Sequence, residues 1–267
     1  MPRPKTKPPR RFDHSHGKPK NPGRTAESDR VLLYGLYAVE AALANPNRAI
    51  RRLLATENAA HRLDHALRSR GVRAEAAIPR QLDRIVGPDA VHQGVVLETA
   101  SLPPVDIADM RPEGILIVLD QVTDPQNAGA VLRSAAAFGA TGVVMPARHS
   151  PPLTGALAKA ASGALDIVPV ILVGNLAQAL GRLGDAGFLR VGLAEEGADA
   201  LETADLTLPL ALVLGAEGKG LRQLTRETCD RLCRISTTGQ LASLNISNAA
   251  AIALHWASTT VKAHQLS

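Results

Sequence analysis

From Ile115 onward, short uninterrupted apolar runs alternate with stretches of helical periodicity. The runs ILIVLD (115–120), GVVMP (142–146), IVPVILV (167–173), LRVGLA (189–194), LALVLG (210–215) and LCRIS (232–236) are only five to seven residues long. They are too short for helices and lack the polar alternation of a half-exposed strand, so both faces of each strand must be buried. Segments 127–139, 154–164, 175–187, 221–229 and 246–265 between and after them read as helices. This pattern confines the chain to an α/β fold: a mainly parallel sheet with helices on both faces.

Residues 31–100 repeat the alternation on a smaller scale. A helix is expected within VLLYGLYAVEAALANP, stopped by Pro46, followed by a strand over 50–56 and a helix over 61–71 that ends at Gly71. A strand at 72–78, a short helix at 80–86 and a strand at 90–100 complete a smaller N-terminal α/β domain. Three prolines in SLPPVDIADMRPEG mark residues 101–113 as a linker to a second domain over 114–267. The chain begins differently. Residues 1–30 hold six of the 18 prolines and nine Lys/Arg against three Asp/Glu. Such a segment cannot bury enough apolar surface to offset its ordering entropy, so a disordered basic arm is expected.

Charge is therefore uneven. The arm carries +6, residues 31–100 carry +2 and residues 101–267 carry −3, within a net charge of +5. Arg51, Arg52, Arg62, Arg68, Arg70 and Arg73 make the small domain arginine-rich, as either a solvated surface or an RNA face. No apolar run approaches the roughly 18–20 residues that span a bilayer. The basic N-terminus lacks the apolar segment of a secretory signal, so a cytoplasmic location is expected. Two cysteines give no disulfide framework. Cys229 and Cys233 are four apart and read as core thiols, so no metal is expected. Aromatics are only 2% of residues, which counts against folds that stack bases on aromatic platforms.

Three loops stand out. In LDQVTDPQNAGAVLRSAAAFGA (119–140), Asn127 lies near a helix start and Arg133 lies among small apolar residues. Asn127 could be a cap, and Arg133 a snorkelling surface cation. In LVLGAEGKGL (212–221), Gly215, Gly218 and Gly220 surround Glu217. The spacing G-x-x-G-x-G fits neither a Walker loop nor the dinucleotide fingerprint. In ISTTGQLASLNISNAAAIAL (235–254), Ser243 and Asn245 flank Leu244 before an Ala-rich helix, where either could cap it. Such loops belong at the carboxyl ends of parallel strands, where open α/β sheets bind ligands.

These three segments, in this order, resemble the motifs of the SpoU (TrmH-type) branch of the SPOUT RNA ribose methyltransferases. YGLYAVEAAL (34–43) and AVHQGVVLE (90–98) are similar to the ends of that family's small substrate-binding domain, so the resemblance covers about residues 31–263. It implies a C-terminal trefoil-knotted domain, an N-terminal RNA-binding domain like ribosomal protein L30e, and a homodimer with the active site near its interface. It further implies methyl transfer from S-adenosylmethionine to a ribose 2′-hydroxyl, with 23S rRNA guanosine as the nearest substrate and tRNA as the alternative. A different class, an RNA-binding assembly factor without catalysis, would show no S-adenosylmethionine binding. The residues implied in chemistry are Asn127, Arg133, Glu217, Ser243 and Asn245. Those implied in cofactor binding are Ala194, Leu214, Gly215, Gly218, Ile235 and Leu244. Family accounts give proton removal to the arginine matching Arg133. A guanidinium keeps its proton at neutral pH, so its expected work is to grip an RNA phosphate and stabilise the developing alkoxide. Glu217 is expected to anchor Arg133 or Asn127, or to accept the proton.

The charge distribution generates a prediction. Deleting residues 1–29 should weaken RNA binding and flatten its salt dependence, leaving the modified position unchanged. Binding titrations over a range of salt, with mapping of the modified nucleotide, check both halves.

Overall fold

The computed structural model describes residues 30–239 and 243–265. The expected arm, residues 1–30, thus lies outside the described residues except for Arg30. The N-terminal part contains β1 (Arg30–Tyr34), α1 (Leu36–Ala44), β2 (Ile50–Ala55), α2 (Glu57–Arg62), α3 (Asp64–Arg70), β3 (Glu75–Ala76), α4 (Pro79–Val86) and β4 (Val95–Ala100). Its sheet has the order β1-β4-β2-β3, with β4 antiparallel to both β1 and β2.

The larger part contains β5 (Ile115–Asp120), α5 (Pro125–Ala137), β6 (Gly142–Pro146), α6 (Gly155–Ala160), β7 (Val170–Val173) and α7 (Leu176–Asp185). It continues through β8 (Leu189–Leu193), β9 (Asp199–Ala200), β10 (Leu210–Gly215), α8 (Gln223–Thr228), β11 (Arg231–Arg234) and α9 (Ile246–Gln265). Its sheet runs β7-β6-β5-β10-β8-β11-β9, and every pairing is parallel.

The central strands β5, β6 and β10 are buried on both faces, whereas β7, β8 and β11, expected to be buried likewise, are partly exposed because they lie toward the ends of the sheet, where helix cover thins. Ile115, Ile117 and Leu119 of β5 join Leu210, Leu212 and Leu214 of β10 in a core with α5 and α9. The intervening Leu116, Val118, Ala211 and Val213 face the other way, onto Leu176, Ala179, Leu180 and Leu183 of α7. The period-two geometry of a strand thus divides one apolar run between two helix layers. On the first layer α5 crosses α6 closely. A Cβ on Gly129 would lie 2.4 Å from the Ala160 Cβ, which explains the small residues of this helix.

Several sequence expectations needed adjustment. RVLLY forms β1 rather than the start of a helix, with alternating burial beside β4. Gly35, at φ +88°, then turns the chain into α1. The helix expected over 61–71 is two helices broken at Leu63, because α2 starts early on the Thr56 cap. Only Glu75–Ala76 of 72–78 pairs as a strand. Pro169 lacks an N–H, so β7 begins at Val170, after a 3₁₀ turn over Ala164–Asp166.

The two sheets share one apolar cluster: Leu33, Leu43, Leu53 and Leu97 lie in it with Leu157 and Leu165. An ion pair sits in the same junction. Arg48 Nε donates to Asp166 Oδ1 at 2.8 Å, with the two side chains only 4% and 3% exposed. Asn45 Nδ2 donates to the same oxygen at 3.0 Å. Lys159 Nζ donates to Gln93 Oε1 at 2.6 Å across the junction, and burial pushes its pKa down. Replacing Asp166 by alanine strands the buried Arg48 charge. Asp166→Ala should therefore lower stability by about 3–5 kcal/mol, read by denaturant unfolding.

Candidate functional site at the carboxyl edge of the sheet

Four neighbouring strands end together. Gly215 of β10 pairs with Asp120 of β5, Leu214 with Leu193 of β8, and Cys233 of β11 with Leu193. The loops leaving this edge are the three motif segments. Between β5 and β10 the strand order departs from chain order, the topological position where open α/β sheets carry ligands.

The first loop enters α5 through Asp124 and Pro125. Asp124 accepts a hydrogen bond from Gln126 N at 3.0 Å and supplies the cap. Asn127 therefore does not cap and is released for other contacts. The second loop folds back on itself, with Gly220 N donating to Ala216 O at 2.8 Å. A Cβ on Gly215 would approach the Gly220 carbonyl carbon to 2.1 Å, so only glycine lets this turn close. Gly218 and Gly220 adopt φ of +73° and +63°, which glycine accepts without steric cost. The turn carries Glu217 outward.

Glu217 meets the other two segments there. Its Oε1 accepts hydrogen bonds from Asn127 Nδ2 at 3.3 Å, Asn245 Nδ2 at 2.5 Å and Ile246 N at 3.2 Å. Asn245 Nδ2 also donates to Asn127 Oδ1 at 3.0 Å. Asn245 has a second task, since its Oδ1 accepts from Ser247 N at 2.9 Å and caps α9. Capping and cross-loop contact are thus both true of this residue. One carboxylate oxygen ties three segments separated by 90 and 28 positions.

Arg133 stands apart. It is exposed, and among the described residues no hydrogen bond or ion pair holds it. Six residues at about 100° each turn it about 120° round α5 from Asn127. Glu217 thus anchors Asn127 and not Arg133. Ser243 is exposed three residues before α9, with no hydrogen-bond partner among the described residues.

The positions expected to hold cofactor lie along the same edge. Leu214 is buried, Ala194 and Gly215 are half-buried, and Gly218 is exposed beside Glu217. Ala194 N donates to Cys233 O at 2.9 Å, closing the loop after β8 onto β11. Ile235 is half-buried, and Leu244 exposes 37% of its surface. Backbone turns with two apolar side chains fit a nucleoside held by peptide groups and flanked by aliphatic contacts.

One pair escaped the sequence reading. Asp120, almost fully buried, accepts from Arg222 N at 3.0 Å and Arg222 Nε at 2.7 Å. It locks the end of β5 to the residue before α8. The signal was present, since Asp120 closes the otherwise apolar run ILIVLD. Cys229 donates its thiol to Thr225 O at 3.2 Å, and burial pushes its pKa up to about 12. It therefore stays a protonated packing group at neutral pH.

Comparison with known proteins places these observations in a group. Residues 114–255 match the model of the SpoU rRNA Methylase family, and residues 32–105 match a model described as RNA 2′-O ribose methyltransferase substrate binding. The chain is 42% identical over 236 residues to the 23S rRNA (guanosine-2′-O-)-methyltransferase RlmB of Ralstonia nicotianae, covering 85% of this chain and 94% of that protein. It is 38% identical to the same-named protein of Pseudomonas putida, covering 83% of this chain and 93% of the other. It spans only 61% of an uncharacterized tRNA/rRNA methyltransferase of Synechocystis, at 37% identity over 84% of this chain. Among solved structures, the SpoU methyltransferase AviRb of Streptomyces viridochromogenes in complex with AdoMet superposes with a TM-score of 0.74 at 25% identity. That match covers 90% of this chain and 93% of AviRb.

The Glu217 junction generates a stability prediction. Glu217→Ala removes one acceptor shared by two side-chain amides and a helix-start N–H. It should cost about 1–2 kcal/mol, measured as a shift in thermal unfolding.

Proposed function

The chain belongs to the SpoU rRNA Methylase family, and from that premise we propose that it methylates a ribose 2′-hydroxyl of 23S rRNA, at a guanosine of the peptidyl-transferase region. The observation that carries this reading is the junction of Asn127, Glu217 and Asn245, built from all three motif segments on one sheet edge. The relatives of that name, matched along more than nine-tenths of their length, support the choice of rRNA. In this reading residues 31–100 hold RNA, 101–113 link, and 114–267 carry out transfer.

S-adenosylmethionine, when bound, supplies an electrophilic methyl group on a sulfonium. Peptide groups at Leu214, Gly215 and Gly218 hold its nucleoside part, with Ala194, Ile235 and Leu244 as neighbouring walls. The chain's main catalytic contribution is positioning, because the attacking oxygen must lie about 3–3.5 Å from the methyl carbon and in line with it. Asn127 and Asn245 orient the ribose from fixed positions, since Glu217 clamps both amides. Ser243 offers a hydroxyl beside them. Arg133 grips an RNA phosphate and stabilises the alkoxide as the hydroxyl loses its proton. The second oxygen of Glu217, Oε2, carries no hydrogen bond among the described residues and is available to receive that proton.

Arg133 is exposed and turned away from Asn127 round α5, which supports a working homodimer in which the reacting ribose lies between two protomers. The C-terminal part is read as a trefoil knot, with the loops after β10 and β11 as the knotted segments. The protein is read as cytoplasmic.

Mapping ribose methylation in total RNA from cells lacking the protein tests the substrate. One 23S rRNA position should lose its methyl group, and wild-type protein but not Arg133→Ala should restore it. A lost tRNA methyl group would refute the rRNA assignment.

A further inference from the structure

A second cleft opens on the same edge of the large sheet, over the ends of β5, β6 and β7, with the start of α8 as one wall. Its volume is about 350 Å³, and its walls include Gln121, Arg148, His149, Asn175 and Arg222. No aspartate or glutamate lines it. That is notable in a chain whose residues 101–267 carry −3. Arg148 forms no ion pair among the described residues. Arg222 spends its backbone N–H and Nε on Asp120, while its two terminal amino groups make no hydrogen bond among the described residues. Asp120 is buried behind it, so this contact fixes the guanidinium while leaving those donors free.

The backbone is shaped to form this cleft. Gln121 and His149 are two of only four non-glycine residues with positive φ among the described residues, at +61° and +67°. Such positions carry strain that the surrounding fold must hold. They occupy the turns leaving β5 and β6, on two sides of the cleft. The ten-residue helix α7 begins at its floor, adding the positive end of its dipole.

Gln121 directly follows Asp120, whose strand partner is Gly215 of the methyl-transfer loop. Adjacent strands lie about 4.8 Å apart, so the β6 side of the cleft, with Arg148, lies on the order of 10 Å along the edge from that loop, while Arg222 directly follows it. A single polynucleotide strand lying along the edge meets both. We propose that this cleft binds the backbone phosphate of a nucleotide flanking the methylated one. Arg148 and Arg222 are the donors, and His149 forms the rim. The inference rests on the methyltransferase reading above and adds a second contact that fixes the path of the RNA strand.

The test uses full-length protein, S-adenosylmethionine and unmodified 23S rRNA transcribed in vitro. Arg148→Gln should lower kcat/KM about 5- to 30-fold. It should reduce the slope of log binding constant against log salt by about 0.7–1, the loss of one phosphate contact. Cofactor affinity, read by calorimetry, should not change. Arg148→Lys should restore the slope, because a phosphate accepts either cation. His149→Asn keeps a residue tolerant of positive φ and should reduce kcat/KM less than Arg148→Gln. If the wild-type protein methylates the RNA while Arg148→Gln keeps its slope and its kcat/KM within twofold, this inference is overturned alone. If the wild-type protein neither binds S-adenosylmethionine nor transfers its methyl group, the underlying reading falls and the inference falls with it.

Discussion

The pairing of β10 with β5 governs where everything else can be. Six consecutive residues of one strand lie beside six of the other, and the ladder ends on Gly215 opposite Asp120. Both strands are buried on both faces, so a slip of one residue would exchange the side chains of two helix layers. The register is therefore fixed by packing on both sides at once. Once fixed, it brings the loop after each strand to the same height. The turn carrying Glu217 then lies beside the start of α5, and α9 begins within hydrogen-bonding distance of both.

Two contacts at this edge do complementary work. Glu217 gathers the first and third loops from outside, through a charged oxygen accepting three N–H groups. Asp120 holds the second loop from inside, where its burial strengthens the bond to Arg222. A glycine-rich loop between two such anchors has little freedom left. Flexible composition and fixed geometry are compatible here because glycine permits the turn, and the carboxylates at its flanks hold it.

Much of this was legible in the chain. Uninterrupted apolar strands alternating with helices dictated a parallel, doubly covered sheet. Gly215, Gly218 and Glu217 marked an unusual turn before any geometry was known. Position along a strand is local information, so the carboxyl-edge clustering followed as well. What could not be read was the choice of partner across long separations. Asn127, Asn245 and Asp124 are all plausible caps by type, and only the fold decides that Asp124 caps α5 while Asn245 caps α9 and also reaches Asn127. Nothing near Arg48 in sequence announces Asp166, which lies 118 positions away. Strand β1 was missed because RVLLY runs directly into a helix, and its alternation spans only five residues.

Helix α6 is short, yet it touches both halves of the molecule. On one side its Ala160 presses against Gly129 of α5, the helix that also bears Asn127. At its start, a Cβ on Gly155 would come within 2.5 Å of the Tyr34 ring in the N-terminal sheet. Both contacts are too close to admit another methyl group, so the helix behaves as a spacer of fixed length. The N-terminal sheet is thereby held at one set distance from the helix that bears Asn127.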